Sequence, residues 1–140
     1  MRRALSGSLE LDDDRGRIDT DAVHQYLSEE SYWAQGCTRE AVARTIRDAA
    51  RVVGLYDGSR QIGFARVLSD GITISHLCDV YVLAAYRGRG LGVELVREAV
   101  DNGPHASFTW TLKTKDAHGL YERFGFHAPN EGIMERHASG

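Results

Sequence analysis

Cysteine is scarce in this 140-residue chain. There are two, Cys37 and Cys78, and they lack the paired spacing of a metal site. No disulfide framework is available to support the fold, no bound metal is expected, and a reduced, cytoplasmic setting is the plain expectation. A catalytic thiol stays open. Long apolar runs are missing too, and the first residues, MRRALSGSLELDDD, are too polar for a signal peptide. No membrane partner is therefore expected. Basic excess is also absent: 17 Lys and Arg against 20 Asp and Glu give a net charge of -3. That balance argues against a nucleic-acid partner. Internal repeats and low-complexity linkers are lacking, and the length suits one domain with a real core. Two phosphate signatures are missing as well. No G-x-x-x-x-G-K-[ST] string occurs, and no G-x-G-x-x-G follows an early strand of a larger unit.

What is present is a regular succession of elements. SLELD reads as an edge strand, followed by the polar turn DDDRGR. TDAVHQYLSEE reads as a helix capped by Thr20 or Asp21, and SYWAQGC ends it in an aromatic turn closing at Gly36. TREAVARTIRDAA is a second helix, with Thr38 as cap, Glu40 in its positive first turn, and Val42, Ile46 and Ala49 or Ala50 on one face. RVVGLYD and QIGFARVL flank the hairpin signal DGSR, and ITISHLCDVYVL is a long strand. LGVELVREAVDNG is a helix striped by Leu91, Leu95, Val96 and Ala99, closed by Gly103 and Pro104. SFTWTLKT, DAHGLYERFG and FHAPNEGIMERH read as strand, helix and a last strand. The hairpin must be antiparallel, and the crossover through the third helix should join parallel strands. The class is α/β, a mixed sheet with helices on both faces.

Within YRGRGLGVELV, three glycines precede a helix although glycine is costly there. A helix start offers free N–H groups and the positive end of the helix dipole. Without side chains, an anion can reach those N–H groups, and Arg87 and Arg89 add positive charge. The combination suits a phosphate.

Residues Arg87 to Gly92 also match R-x-x-G-x-G, and here the chain resembles the GNAT superfamily of acyl-CoA-dependent N-acetyltransferases. DVYVLAAYRG looks like that family's cofactor strand, and KDAHGLYERFGF looks like its late helix with a tyrosine before a Gly-Phe pair. SYWAQG is similar to a small bacterial subgroup with a Tyr-Trp-Ala turn. The resemblance is specific from Ile62 to Phe126. It implies one GNAT acetyltransferase domain over residues 1–140, α/β (α+β by some schemes). The implied fold is a mixed, mostly antiparallel twisted sheet of six or seven strands, with about four helices on both faces and splayed central parallel strands. It implies acetyl-CoA (coenzyme A) as acyl donor and direct attack by an amine in a ternary complex. A homodimer joined through the strand after Phe126 is a further implication.

Roles follow from the same resemblance. The backbone of Val80, Tyr81 and Val82 would pair with the pantetheine arm, and the Val82 amide would polarise the thioester carbonyl. Amides of Arg87, Gly88, Arg89, Gly90, Leu91, Gly92 and Val93 would hold the pyrophosphate, with Thr114 as a further cofactor contact. Asp116 would cap the late helix. Tyr121 would be the general acid, within A-x-x-x-Y-x-x-x-G-F formed by Ala117, Tyr121, Gly125 and Phe126. The base stays open between Asp79, His118 and a chain of waters. Cys78 stands where many members carry an acid, and strand alternation says that Cys78 and Asp79 cannot both face the cleft. Tyr32, Trp33, Phe64, Arg66, Cys78 and Trp110 are the acceptor-site candidates. Arg66 either binds a carboxylate or phosphate on a small-molecule or peptide amine, or pairs with Asp70. Two other readings stand beside the enzyme: an acyl-CoA sensor without turnover, and a phosphate-recognising domain that ignores CoA.

Overall fold

The structure, a computed structural model, describes residues 1–129 and 132–138. Its sheet runs β1 (Arg2–Ala4), β2 (Leu9–Asp12), β3 (Arg51–Asp57), β4 (Arg60–Ser69), β5 (Ile74–Val82) and β6 (Thr109–Leu112), in that spatial order. Every neighbouring pair is antiparallel except β5 and β6. The parallel pair is joined through α3 (Leu91–Val100), as a crossover requires. SLELD is not the edge: β1, a short strand of two arginines and an alanine, covers it. Such a strand has no apolar alternation to announce it. At the other end β6 is the edge among the described residues, so the parallel pair is not central. FHAPNEGIMERH forms no strand among its described residues, and Asn130 and Glu131 lie outside them.

Two cores sandwich the sheet. α1 (Thr20–Glu29) and α2 (Arg39–Asp48) bury Val23, Leu27, Val42 and Ile46 against Val52, Phe64 and Tyr81. α3 and α4 (His118–Glu122) bury Leu91, Leu95, Val96, Ala99 and Tyr121 against Val53, Leu55, Ala65 and Leu77. Full burial of one such aliphatic side chain contributes about 1.5–3 kcal/mol. The caps differ in part from expectation. Asp19, one residue earlier than expected, accepts the Ala22 N–H for α1, while Thr38 caps α2 through Ala41 as its position suggests. α4 is a single short turn of helix, and Thr114 rather than Asp116 takes the Ala117 N–H.

α3 is fastened by charge as well as by its stripe. Glu98 is only 2% exposed, and its carboxylate takes Arg51 of β3 at 3.0 Å and Arg3 of β1 at 2.9 Å. Arg51 also donates to the Glu98 carbonyl at 2.8 Å. Gly103 leaves the room: a Cβ there would sit 2.7 Å from an Arg51 terminal nitrogen. This clamp fixes the axis of α3, and so the direction in which its N-terminus points.

Candidate functional site

The chain leaves β5 through a short 3-10 turn, Ala84–Tyr86, and enters α3 through the glycine loop. Gly88 and Gly90 have φ of 81° and 75°, values that side chains resist, and Gly90 is the left-handed N-cap of α3. Among the described residues, none of the backbone N–H groups of residues 88–93 meets a protein acceptor. Together with the α3 dipole they form a concentrated set of donors. Arg87 does not join them. Its amide is bonded to Ala84 O at 3.2 Å, and its guanidinium turns back to Val82 O and the Tyr26 hydroxyl, both at 3.0 Å. Arg89 lies exposed, 5.3 Å over the Tyr86 ring.

Gly92 is different. Its φ is ordinary, and a Cβ there would meet only Leu120 Cδ2 at 3.9 Å, a normal contact. Nothing within the fold demands a glycine at this helical position.

Beside the loop, the sheet opens. The β5–β6 ladder ends at Leu77 opposite Leu112, while β5 runs on to Val82 with no strand on that side among the described residues. Leu83 N–H donates inward to Ile62 O at 2.8 Å, so alternation turns the amide of Val82 outward, into the opening. Tyr81 does not share that role. Its backbone lies opposite Phe64 in the ladder, and its ring stacks on Tyr26 with centroids 3.9 Å apart.

β5 is also bulged. Ala65 of β4 faces both Asp79 and Val80 between the pairs Arg66↔Cys78 and Phe64↔Tyr81. Asp79 has φ 58°, the sole non-glycine residue at positive φ among the described residues. The bulge defeats simple alternation: Cys78 and Asp79 both sit beside Arg66. Asp79 accepts Arg66 Nε at 2.7 Å and Trp33 Nε1 at 2.9 Å, while the Cys78 thiol approaches Arg66 O at 3.6 Å. Arg66 thus pairs with Asp79, not Asp70, whose carboxylate binds its own hairpin turn.

The aromatic turn after α1 spans the opening. Trp33 reaches β5 through Asp79, and the Tyr32 hydroxyl accepts the Lys115 N–H at 2.9 Å on the far lip. Both rings are exposed, 48% for Tyr32 and 42% for Trp33, and pack edge to face. Tyr121 lies in the α3/α4-side core, 8% exposed, with Phe126 edge-on at 6.0 Å. Burial, with Tyr32 and Asp116 adding to it, pushes its phenol up to about 12, so it is protonated at neutral pH.

Other candidates fall away from this cluster. Phe64 is fully buried under α1 and α2, where no acceptor can touch it. Trp110 packs on the α3 side with its indole N–H on His105 O at 3.0 Å. His118 is exposed at the start of α4, and the Thr114 hydroxyl accepts the Ala117 N–H at 3.1 Å. Both thiols are pushed up by burial, with Asp79 adding to it; Arg66 offsets part of the rise at Cys78, which reaches about 11. Neither is an activated nucleophile. One residue near the cluster was missed from the sequence. His76, two before Cys78, bonds Thr111 Oγ1 at 2.8 Å, and burial, Lys113 and Arg66 hold it below the ordinary imidazole value. Counting back by two from Cys78 would have found it. A recess of about 450 Å³, lined by Asp13, Arg51, Asn102 and Pro104, lies at the C-terminal end of α3, away from the loop.

Comparison with known proteins agrees with this geometry. The family model described as an acetyltransferase (GNAT) domain matches residues 48–128. A Gibberella zeae protein named an acetyltransferase is 27% identical over 136 aligned positions, covering 80% of this chain and 75% of that one. A crystal structure from Xanthomonas campestris pv. campestris, assigned to the same family, superposes with a TM-score of 0.88 at 33% identity, covering 94% of each chain. An acetyltransferase structure from Deinococcus radiodurans gives 0.74 at 25% identity, covering 97% of this chain and 94% of its own.

Proposed function

The chain belongs to the GNAT acetyltransferase family, and on that premise we propose that it moves the acetyl group of acetyl-CoA to a primary amine by direct attack. The observation that carries the donor is Gly92, a glycine the fold does not require, in the first turn of a helix whose N–H groups are unpaired. A close-lying pyrophosphate supplies the missing reason, because a methyl group there would hold it away from the amides. The N–H groups of Gly88, Arg89, Gly90, Leu91, Gly92 and Val93 hold it. The outward edge of β5 at Val80 and Val82 pairs with the pantetheine amides as an added strand would.

In the transfer, the Val82 N–H points at the oxygen where negative charge develops and stabilises it. Tyr121 donates a hydrogen bond to the departing sulfur. With its phenol near 12, complete proton transfer is uphill, so the bond contributes most as charge forms on sulfur. Asp79 is committed to Arg66 and Trp33, and His118 faces solvent, so the ammonium proton of the acceptor leaves through water. The residues 1–140 act as one domain in this reading.

Calorimetry with CoA, acetyl-CoA and ATP, followed by an amine panel read by free-thiol release, tests the assignment. Micromolar binding of both CoA species, weaker ATP, and thiol release with at least one amine are expected. Absence of CoA affinity would sink the reading. CoA binding without turnover on any amine would leave a sensor instead.

A further inference from the structure

Arg66 is a half-used cation. Its Nε donates to Asp79, and only 16% of the side chain reaches solvent. Asp79 spends its other oxygen on Trp33. Among the described residues neither terminal nitrogen of Arg66 has a protein acceptor, and neither is among the fully enclosed unpartnered atoms, so both remain reachable. A mostly buried guanidinium with its outer edge unpaired favours an incoming acceptor.

The surroundings define what would fit. Arg66 lines a recess of about 240 Å³ between α2 and β4, together with Arg44 and Asp48. Asp48 is taken up by Arg47 at 2.9 and 3.0 Å. The recess is therefore lined by two arginines and by one carboxylate that Arg47 partners from outside it. Along the ladder Arg66 lies opposite Cys78, the first residue of β5 past its last pair with β6. Arg66 thus stands level with the start of the opening, and the recess runs from it along β4 toward Leu68. Asp79 explains its own backbone here. Its left-handed conformation at φ 58° accompanies a carboxylate held by Trp33 and Arg66 at once, which fixes the plane of the guanidinium.

The geometry points to Arg66 as the receptor for a carboxylate carried by the amine acceptor, an inference that rests on the acetyl-transfer reading. The free edge of a guanidinium presents two parallel N–H donors at the spacing of carboxylate oxygens, which no lysine can match. The acceptor class is then an amino-acid-like molecule: its carboxylate sits on Arg66 beside the lip, and its amine extends toward the outward edge of β5. Arg44 adds attraction for the same charge at longer range.

Matched acceptors test this. α-Amino acids are compared with their methyl esters, and phosphoethanolamine with ethanolamine, by free-thiol release at saturating acetyl-CoA. The acids should exceed their esters at least tenfold in kcat/KM, chiefly through KM. Arg66→Met should bring that ratio close to one, and Arg66→Lys should retain only part of it. Unchanged CoA affinity by calorimetry verifies that each variant is folded. Equal use of acids and esters, or a ratio that survives Arg66→Met, overturns the assignment. So does a preference confined to the phosphate pair, or CoA binding with no turnover of any acceptor in the panel. Loss of CoA binding in the unaltered protein would instead remove the acetyltransferase reading itself.

Discussion

Gly92 separates what the fold needs from what the proposed donor needs. With an ordinary φ and room for a Cβ, Gly92→Ala should leave stability unchanged or raise it by up to about 1 kcal/mol, since alanine is the better helix former. The same substitution should weaken CoA binding about tenfold or more by lifting the pyrophosphate from the amides. Urea unfolding and calorimetry on one sample check both halves, and unaltered CoA affinity would contradict the role given to the loop. Tyr121 offers a second separation. Tyr121→Phe keeps the buried ring and removes only the hydroxyl, so kcat should fall about a hundredfold with CoA affinity intact. A variant that folds and turns over normally would end that assignment. Both assignments start from local signals, a glycine spacing and a tyrosine before Gly-Phe, which a sequence carries on its face. Phe64 gives no such signal. Alternation told which sheet face it shares with Arg66, but only the packing of α1 and α2 tells that this face is covered at Phe64 and open at Arg66.

At the scale of elements, the glycine loop, α2 and α3 follow their sequence patterns closely, whereas β1 and the bulge of β5 do not. β1 is held by pairing with β2 and by arginines reaching across to Glu10, Glu94 and Glu98, interactions that only tertiary structure brings together. The bulge at Asp79 depends on partners 13 and 46 residues away, Arg66 and Trp33. No period-two reading could anticipate it. α3 carries the clearest energetic prediction. Glu98→Gln removes the charge that two arginines share in a nearly dry setting, and should cost about 3 kcal/mol. Denaturant unfolding measures this, and a loss below about 1 kcal/mol would mean that the clamp is dispensable. Because the clamp aims the α3 N-terminus, the same variant should also bind CoA less tightly at temperatures where it remains folded.

Across the whole molecule, charge pairing sets a direction for pH dependence. Arg2 and Arg17 hold Glu10 below the usual carboxylate range, and Ser8 and Tyr86 do the same for Asp57. At Glu94 burial pulls upward, but Arg3 and Arg97 outweigh it. Each folded value lies below its unfolded one, so this stability is present above about pH 4 and is lost as pH falls through the folded values. His76 acts in the same sense at a higher range. Its depressed folded value makes the unfolded chain the better proton binder below about pH 6.5. The melting temperature should therefore decline gently below pH 6.5 and steeply below pH 4. A flat profile from pH 7 to pH 3 would contradict these pairings.

The turn that ties the two lips of the opening has an optical consequence. Of the two tryptophans, Trp110 is packed against the core on the far face, whereas Trp33 is 42% exposed and hydrogen-bonded to a carboxylate at the mouth of the site. Trp33 is the indole placed to sense an arriving molecule. Ligand titrations should thus alter the intrinsic fluorescence through Trp33 alone, and Trp33→Phe should silence that signal while the steady emission of Trp110 remains. A response that persists in Trp33→Phe would move the ligand elsewhere. The protein carries its own lamp at the doorway, so occupancy can be followed before the acceptor is known.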